Sequence, residues 1–176
     1  MRTVVFMVLV CGVLSTMSTA QASSAEPARS NAAFAKLRSL AGDWEGTYNW
    51  LGGQDQHGKV IAEYYLTGNG SAVEENLTQD GVPSMTSVYH LDGTDLRMTH
   101  FCAAQNQPRL RATAYSPDGN QITFSFVDIT NLSSPTAGHV DGLDLRFLAP
   151  DHINLRFHFI ANGKSREELL DLSRKK

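Results

Sequence analysis

From residue 42 onward the chain is a succession of short alternating runs closed by tight turns, with no intervening stretch long enough for a crossover helix. The runs cover residues 44–50, 59–66, 72–79, 85–91, 95–103, 109–115, 121–128, 138–148, 152–160 and 167–172. The links between them include Thr67-Gly68-Asn69-Gly70, Asp80-Gly81-Val82-Pro83, Asp92-Gly93-Thr94, Ser116-Pro117-Asp118-Gly119-Asn120 and Ala161-Asn162-Gly163-Lys164. Gly and Asn supply the positive φ of hairpin turns, and Pro presets φ. Parallel neighbours would need crossovers of a dozen residues or more, so these runs must pair antiparallel in chain order. About ten such strands curl under their own twist, and closing the sheet removes its exposed edges. The expected fold is therefore all-β, an antiparallel up-and-down barrel of about ten strands. It forms a single domain over residues 32–176.

What precedes the barrel reads differently. "MRTVVFMVLVCGVLSTMSTAQA", residues 1–22, has one charge, Arg2, then an apolar run and an Ala-Gln-Ala ending. That order predicts a secretory signal peptide cleaved after Ala22, and a periplasmic or extracellular product. The apolar run is too short to span a bilayer, and no second candidate follows. Residues 23–31 are small and polar and read as a flexible mature terminus. Phe34, Leu37 and Leu40 then recur every three residues. They predict a short helix capped by Asn31 and stopped by Gly42.

The formal net charge of −3 argues against a nucleic-acid partner, which requires a basic surface. After cleavage Cys102 is the sole cysteine, so no internal disulfide forms and the core alone must hold the barrel. No cofactor and no oligomeric state is specified by the residues.

The densest chemistry is "MTHFCAAQNQPRLRA", residues 98–112. Alternation places Leu96, Met98, His100 and Cys102 on one strand face, and the two aliphatic residues assign that face to the interior. His100 and Cys102 then lie roughly 7 Å apart along the strand. On the preceding strand either Val88 and His90, or Ser87, Tyr89 and Leu91, face inward. On the following strand Arg109 and Arg111 share a face. An inward arginine would need a partner such as Glu63, Glu74 or Glu75, or an anionic ligand.

Met98, His100, Cys102, Arg109 and Arg111 are thus the candidate ligand-binding residues. Four uses of them stand open. They could form a polar seam without a ligand. They could hold the polar end of a small hydrophobic or amphipathic molecule. They could support thiol chemistry. Or His100 and Cys102, joined by His90, His139 or His158, could ligate a metal or haem. His57, His139, His152 and His158 themselves sit in turns, beside a loop or on an outer face.

Leu40-Ala41-Gly42-Asp43-Trp44-Glu45-Gly46 resembles the opening of lipocalin-like barrels, in which a Gly-x-Trp starts the first strand and the Trp plugs the barrel base. Gly42, Trp44 and Gly46 also look like the start of nitrobindin-type barrels, which are ten-stranded and bind haem through a histidine. "THFCAAQNQPRLRA" is similar to a pattern in exported bacterial lipocalin-like proteins without an assigned activity. The resemblance implies a calycin-like barrel with a structural Trp44. The second and third lipocalin signature regions and the nitrobindin histidine region have no match in this chain. The haem function is therefore not carried over.

Overall fold

The computed structural model describes residues 20–53 and 56–176, so most of the expected signal peptide lies outside the described residues. One helix, α1 (Ala20–Arg38), precedes ten strands: β1 (Gly42–Leu51), β2 (Gln56–Thr67), β3 (Ala72–Gln79), β4 (Val82–Asp92), β5 (Asp95–Phe101), β6 (Gln107–Tyr115), β7 (Gln121–Thr130), β8 (His139–Ala149), β9 (His152–Ala161) and β10 (Lys164–Arg174). Each strand pairs antiparallel with its chain neighbours, and β1 pairs with β10 to close the barrel. Every expected strand is present, most of them a few residues longer than the alternation indicated.

The helix differs from expectation. Its described part runs Ala20–Arg38, so residues 23–31 are helical rather than irregular, and Asn31 lies inside the helix instead of capping it. The alanines at 20, 22, 25 and 28 favour helix strongly enough to carry it upstream, even through Pro27, which forfeits a backbone bond. Ser30, Ala33, Phe34, Leu37 and Leu40 are buried on one face. That stripe lies over the ends of β4, β5 and β6, sealing one end of the barrel. Lys36 Nζ ties the helix to the β6–β7 turn, donating to Gly119 O and Asn120 Oδ1, both at 2.7 Å.

The Gly-x-Trp-x-Gly segment is explained residue by residue. Gly42 has φ +122°, a conformation that L side chains rarely adopt. Trp44 is fully buried, donates from Nε1 to Leu40 O at 2.8 Å, and stands edge-on to Tyr64. At Gly46 the β10 backbone crosses so closely that a Cβ would fall 1.8 Å from Asp171 O. The β1–β10 closure therefore depends on a missing side chain.

No helix among the described residues is long and apolar enough to cross a membrane.

Candidate functional site

On β5, Leu96, Met98 and His100 are buried, while Asp95, Arg97, Thr99 and Phe101 face outward. Cys102 continues the inner face just beyond the strand and is partly buried. Its backbone N–H donates to Asn106 O at 3.0 Å, which sets Asn106 opposite it on the inner side of the hairpin. On β4 the structure selects Ser87 and Tyr89 for the interior; His90 is turned away and its ring contacts Leu91 O.

Arg109 and Arg111 correct the sequence reading. Pro108, Leu110 and Ala112 take the interior of β6, so both arginines stand on the outer wall, about half exposed. Arg109 forks onto Asp128 through Nε and a terminal nitrogen, at 2.5 and 2.8 Å. Arg111 approaches Asp95 at 3.7 Å, a carboxylate already paired with Arg97 at 2.8 Å. Burying two cations inside a narrow barrel would cost far more than burying a leucine and an alanine. The apolar neighbours at 110 and 112 carried that signal in the sequence.

The middle of the barrel holds a polar network that sequence reasoning did not single out. Glu75 is fully buried at its centre. Tyr64 donates to Glu75 Oε1 at 2.6 Å, Tyr89 to Oε2 at 2.9 Å, and Ser87 also hydrogen-bonds to it. Burial pushes the Glu75 carboxyl above its ordinary range, against the pull of these three hydroxyls, and drives both tyrosines well above theirs. Ser87 Oγ lies 3.0 Å from His100 Nδ1. The remaining ring nitrogen, Nε2, points away from this network. That nitrogen is buried and has no hydrogen-bond partner. Burial lowers His100 from 6.5 to about 4, so the ring is neutral. Its other close neighbour is Phe157, with centroids 5.2 Å apart.

Above this layer lies the end of the barrel opposite α1. Trp50 on β1 is register partner to Glu168 on β10, which in turn pairs with Phe157 on β9. Glu168 is 2% exposed and accepts from Gln79 Nε2 at 2.5 Å and from the Trp50 side chain. Burial raises its carboxyl from 4.5 to about 7, with Gln79, Trp50 and Arg166 pulling the other way. The Arg166 guanidinium sits over the Trp50 ring, 4.7 Å from its centroid, and Phe159 meets that ring edge-on at 5.6 Å. Trp50, Gln79, Cys102, Phe159 and Arg166 all remain partly exposed. Asn106 is buried and donates to Gly138 O at 2.8 Å, leaving its Oδ1 without a partner. The inward parity of 168, 170 and 172 was legible from exposed Asp171. The meeting of Trp50, Glu168 and Arg166 was not, because it depends on the β1–β10 closure.

Burial raises the Cys102 thiol, and the nearby Glu168 charge adds to that, whereas an activated nucleophile needs a lowered pKa. Among the described residues no three His, Cys, Asp or Glu side chains converge to hold a metal ion. His139 bonds Ala137 O, and His158 pairs with Asp144 and Glu167 on the outer wall. His100 is the only interior imidazole among the described residues. Its fully buried ring, flanked by Ser87 and Phe157, leaves no slot for a macrocycle, so these residues do not fit a haem.

No family model and no curated protein matches the chain. Solved structures do. That of Rv2717c from M. tuberculosis aligns with a TM-score of 0.61 at 18% identity, covering 82% of this chain and 98% of that one. A protein of unknown function from the DUF3598 family of Nostoc punctiforme aligns with a TM-score of 0.55 at 10% identity, covering 79% of this chain and 49% of that one. At these identities the likeness is one of fold, a closed antiparallel barrel of calycin-like form.

Proposed function

We propose that this chain is an exported binding protein that takes a small amphipathic molecule in the mouth half of its barrel. The observation that carries the reading is a buried polar atom without a hydrogen-bond partner: His100 Nε2, two residues inward from a mouth whose wall is only partly buried. An uncompensated polar atom in a core costs free energy, and natural interiors rarely keep one without a reason. The opposite end has no such atom on Trp44, whose N–H is satisfied by Leu40 O. In this reading Phe159 and Met98 contact the apolar body, and Trp50, His100, Asn106 and Cys102 meet the polar end. Arg109 and Arg111 take no part. Exposed aromatic edges beside a few convergent polar groups are the usual composition of a small-molecule site.

Native mass spectrometry of the chain purified from its own source without added ligand tests this. The expected result is a stoichiometric extra mass that is lost on denaturation and lost in a Trp50→Ala variant. The same experiment reads the new N-terminus, expected at Ser23. A clean apo mass, with no thermal stabilisation by any amphiphile, would overturn the binding reading. An intact leader on the chain would overturn export.

A further inference from the structure

The mouth already holds an organic cation of its own. The Arg166 guanidinium lies 4.7 Å over the Trp50 ring, and its charge acts on Glu168, whose carboxyl accepts the Trp50 side-chain hydrogen bond. The chain passes close over it from the other side: a Cβ on Gly53 would fall 2.6 Å from Arg166 Nε. Aromatic face, carboxyl and close backbone together form a cradle suited to a positive, planar or tetrahedral nitrogen group.

The atoms beneath the cradle have the matching polarity. Asn106 Oδ1 is a buried acceptor without a donor, and His100 Nε2 is buried without a hydrogen-bond partner. The ring of His100 packs on Phe157, the register neighbour of Glu168. Glu75, one layer further in, is a second buried carboxyl. The interior thus offers an amide acceptor and two buried carboxyls, and the cation nearest them is the Arg166 side chain at the rim.

We propose that the ligand taken at the mouth carries a cationic, hydrogen-donating head on an apolar body, an alkyl or aryl amine or guanidine, and that it displaces Arg166 from the Trp50 ring. This rests on the mouth-binding reading above and adds the charge of the ligand to it. In the bound state the ligand head takes the Glu168 carboxylate and the Trp50 face, and a further N–H reaches toward Asn106 Oδ1 below.

The test compares three probes of equal chain length, octylamine, octanol and octanoate, by isothermal titration and thermal shift at pH 8. Octylamine is expected to bind about tenfold more tightly than octanol, with octanoate weakest. Glu168→Gln should erase the amine preference and leave octanol binding in place. Arg166→Gln should move the other way, tightening octylamine, because the competing cation is gone. Lowering the pH to 5.5 should also erase the preference, since Glu168 titrates near 7. Of the other groups facing it, Arg166 on β10 is the cation already described, and Tyr48 on β1 and Cys102 beyond β5 are both raised and stay neutral over that range. Gln79, Phe157 and Phe159 bring no charge. Equal binding of all three probes, or weaker amine binding in Arg166→Gln, overturns the cation proposal and leaves the mouth-binding reading standing. Failure of all three to bind overturns both.

Discussion

Each end of the barrel carries a β1 tryptophan with a β10 arginine laid over its ring, and the two ends use that pair in opposite ways. At the sealed end Arg174 lies 4.4 Å over Trp44, and both side chains spend their donors on backbone: Trp44 on Leu40 O, Arg174 on Ala41 O at 2.9 Å and Ser39 O at 2.7 Å. At the mouth Arg166 lies 4.7 Å over Trp50, but Trp50 donates to the Glu168 carboxyl and the arginine's charge faces that same group. A backbone carbonyl neither titrates nor changes partner without unfolding. A carboxylate can gain a proton or accept a different cation. One pair is tied to the backbone and the other to a titratable side chain, although the residue types are the same.

The largest test of that contrast is at the closure. Gly46→Ala places a methyl 1.8 Å from Asp171 O in the β1–β10 seam, so the barrel cannot close as built. Little folded protein is expected, judged by circular dichroism and cooperative denaturation, and a stable two-state variant would show that the seam is looser than described here. Trp44→Ala comes next. It removes a fully buried ring and should cost about 3–5 kcal/mol. Trp50→Ala, at the partly exposed mouth, should cost about 1–2 kcal/mol by burial alone and abolish ligand stabilisation. Equal losses at the two tryptophans in urea denaturation would remove the distinction between the ends.

A subtler difference separates the two buried titratable groups that share Phe157. Glu168 is raised from 4.5 to about 7, so the folded state holds its proton more tightly than the unfolded chain. Its contribution is complete below 4.5 and is lost as pH rises to about 7. His100 is lowered from 6.5 to about 4, so its contribution is complete above 6.5 and is lost as pH falls to about 4. Each shift corresponds to on the order of 3 kcal/mol, with opposite slopes over most of the same range. The wild-type stability contributed by this pair should be nearly flat between pH 4.5 and 6.5. Glu168→Gln should unmask a protein that weakens on acidification, and His100→Gln one that strengthens. Glu75, also raised, adds the same background to every variant and cancels in the differences. Parallel pH profiles for the two variants would refute the opposition.

The barrel was legible in the sequence because its signals are local: period two within each run, and turn residues between runs. The inner face of β5 followed from Leu96 and Met98 in the same way. Glu75 obeys the same rule between Val73 and Leu77, yet a charged residue at an inward position reads as an exception until its three hydroxyl donors arrive from other strands. The mouth was less legible still. Trp50 and Glu168 are neighbours only because the first and last strands pair. The helical course of residues 23–31 escaped for a different reason, since its alanine content has no apolar period to read.

The smallest effect tests which wall of β6 matters. Arg109 was a candidate ligand residue while its face was undecided, and the structure puts it outside, forked onto Asp128. Asp128 holds the guanidinium above its already high value, but an exposed pair in water is screened and gains little. Arg109→Ala should therefore shift the thermal midpoint by less than about 2 °C and leave amphiphile binding unchanged, whereas Leu110→Ala, on the inner face of the same strand, should cost about 2–5 kcal/mol. The two residues are adjacent and share one backbone, so any difference between them measures which way each side chain points. A marked loss of binding in Arg109→Ala would mean that the ligand sits against the outer wall, in the groove that Arg97, Thr99 and Asp128 line there, and not in the mouth.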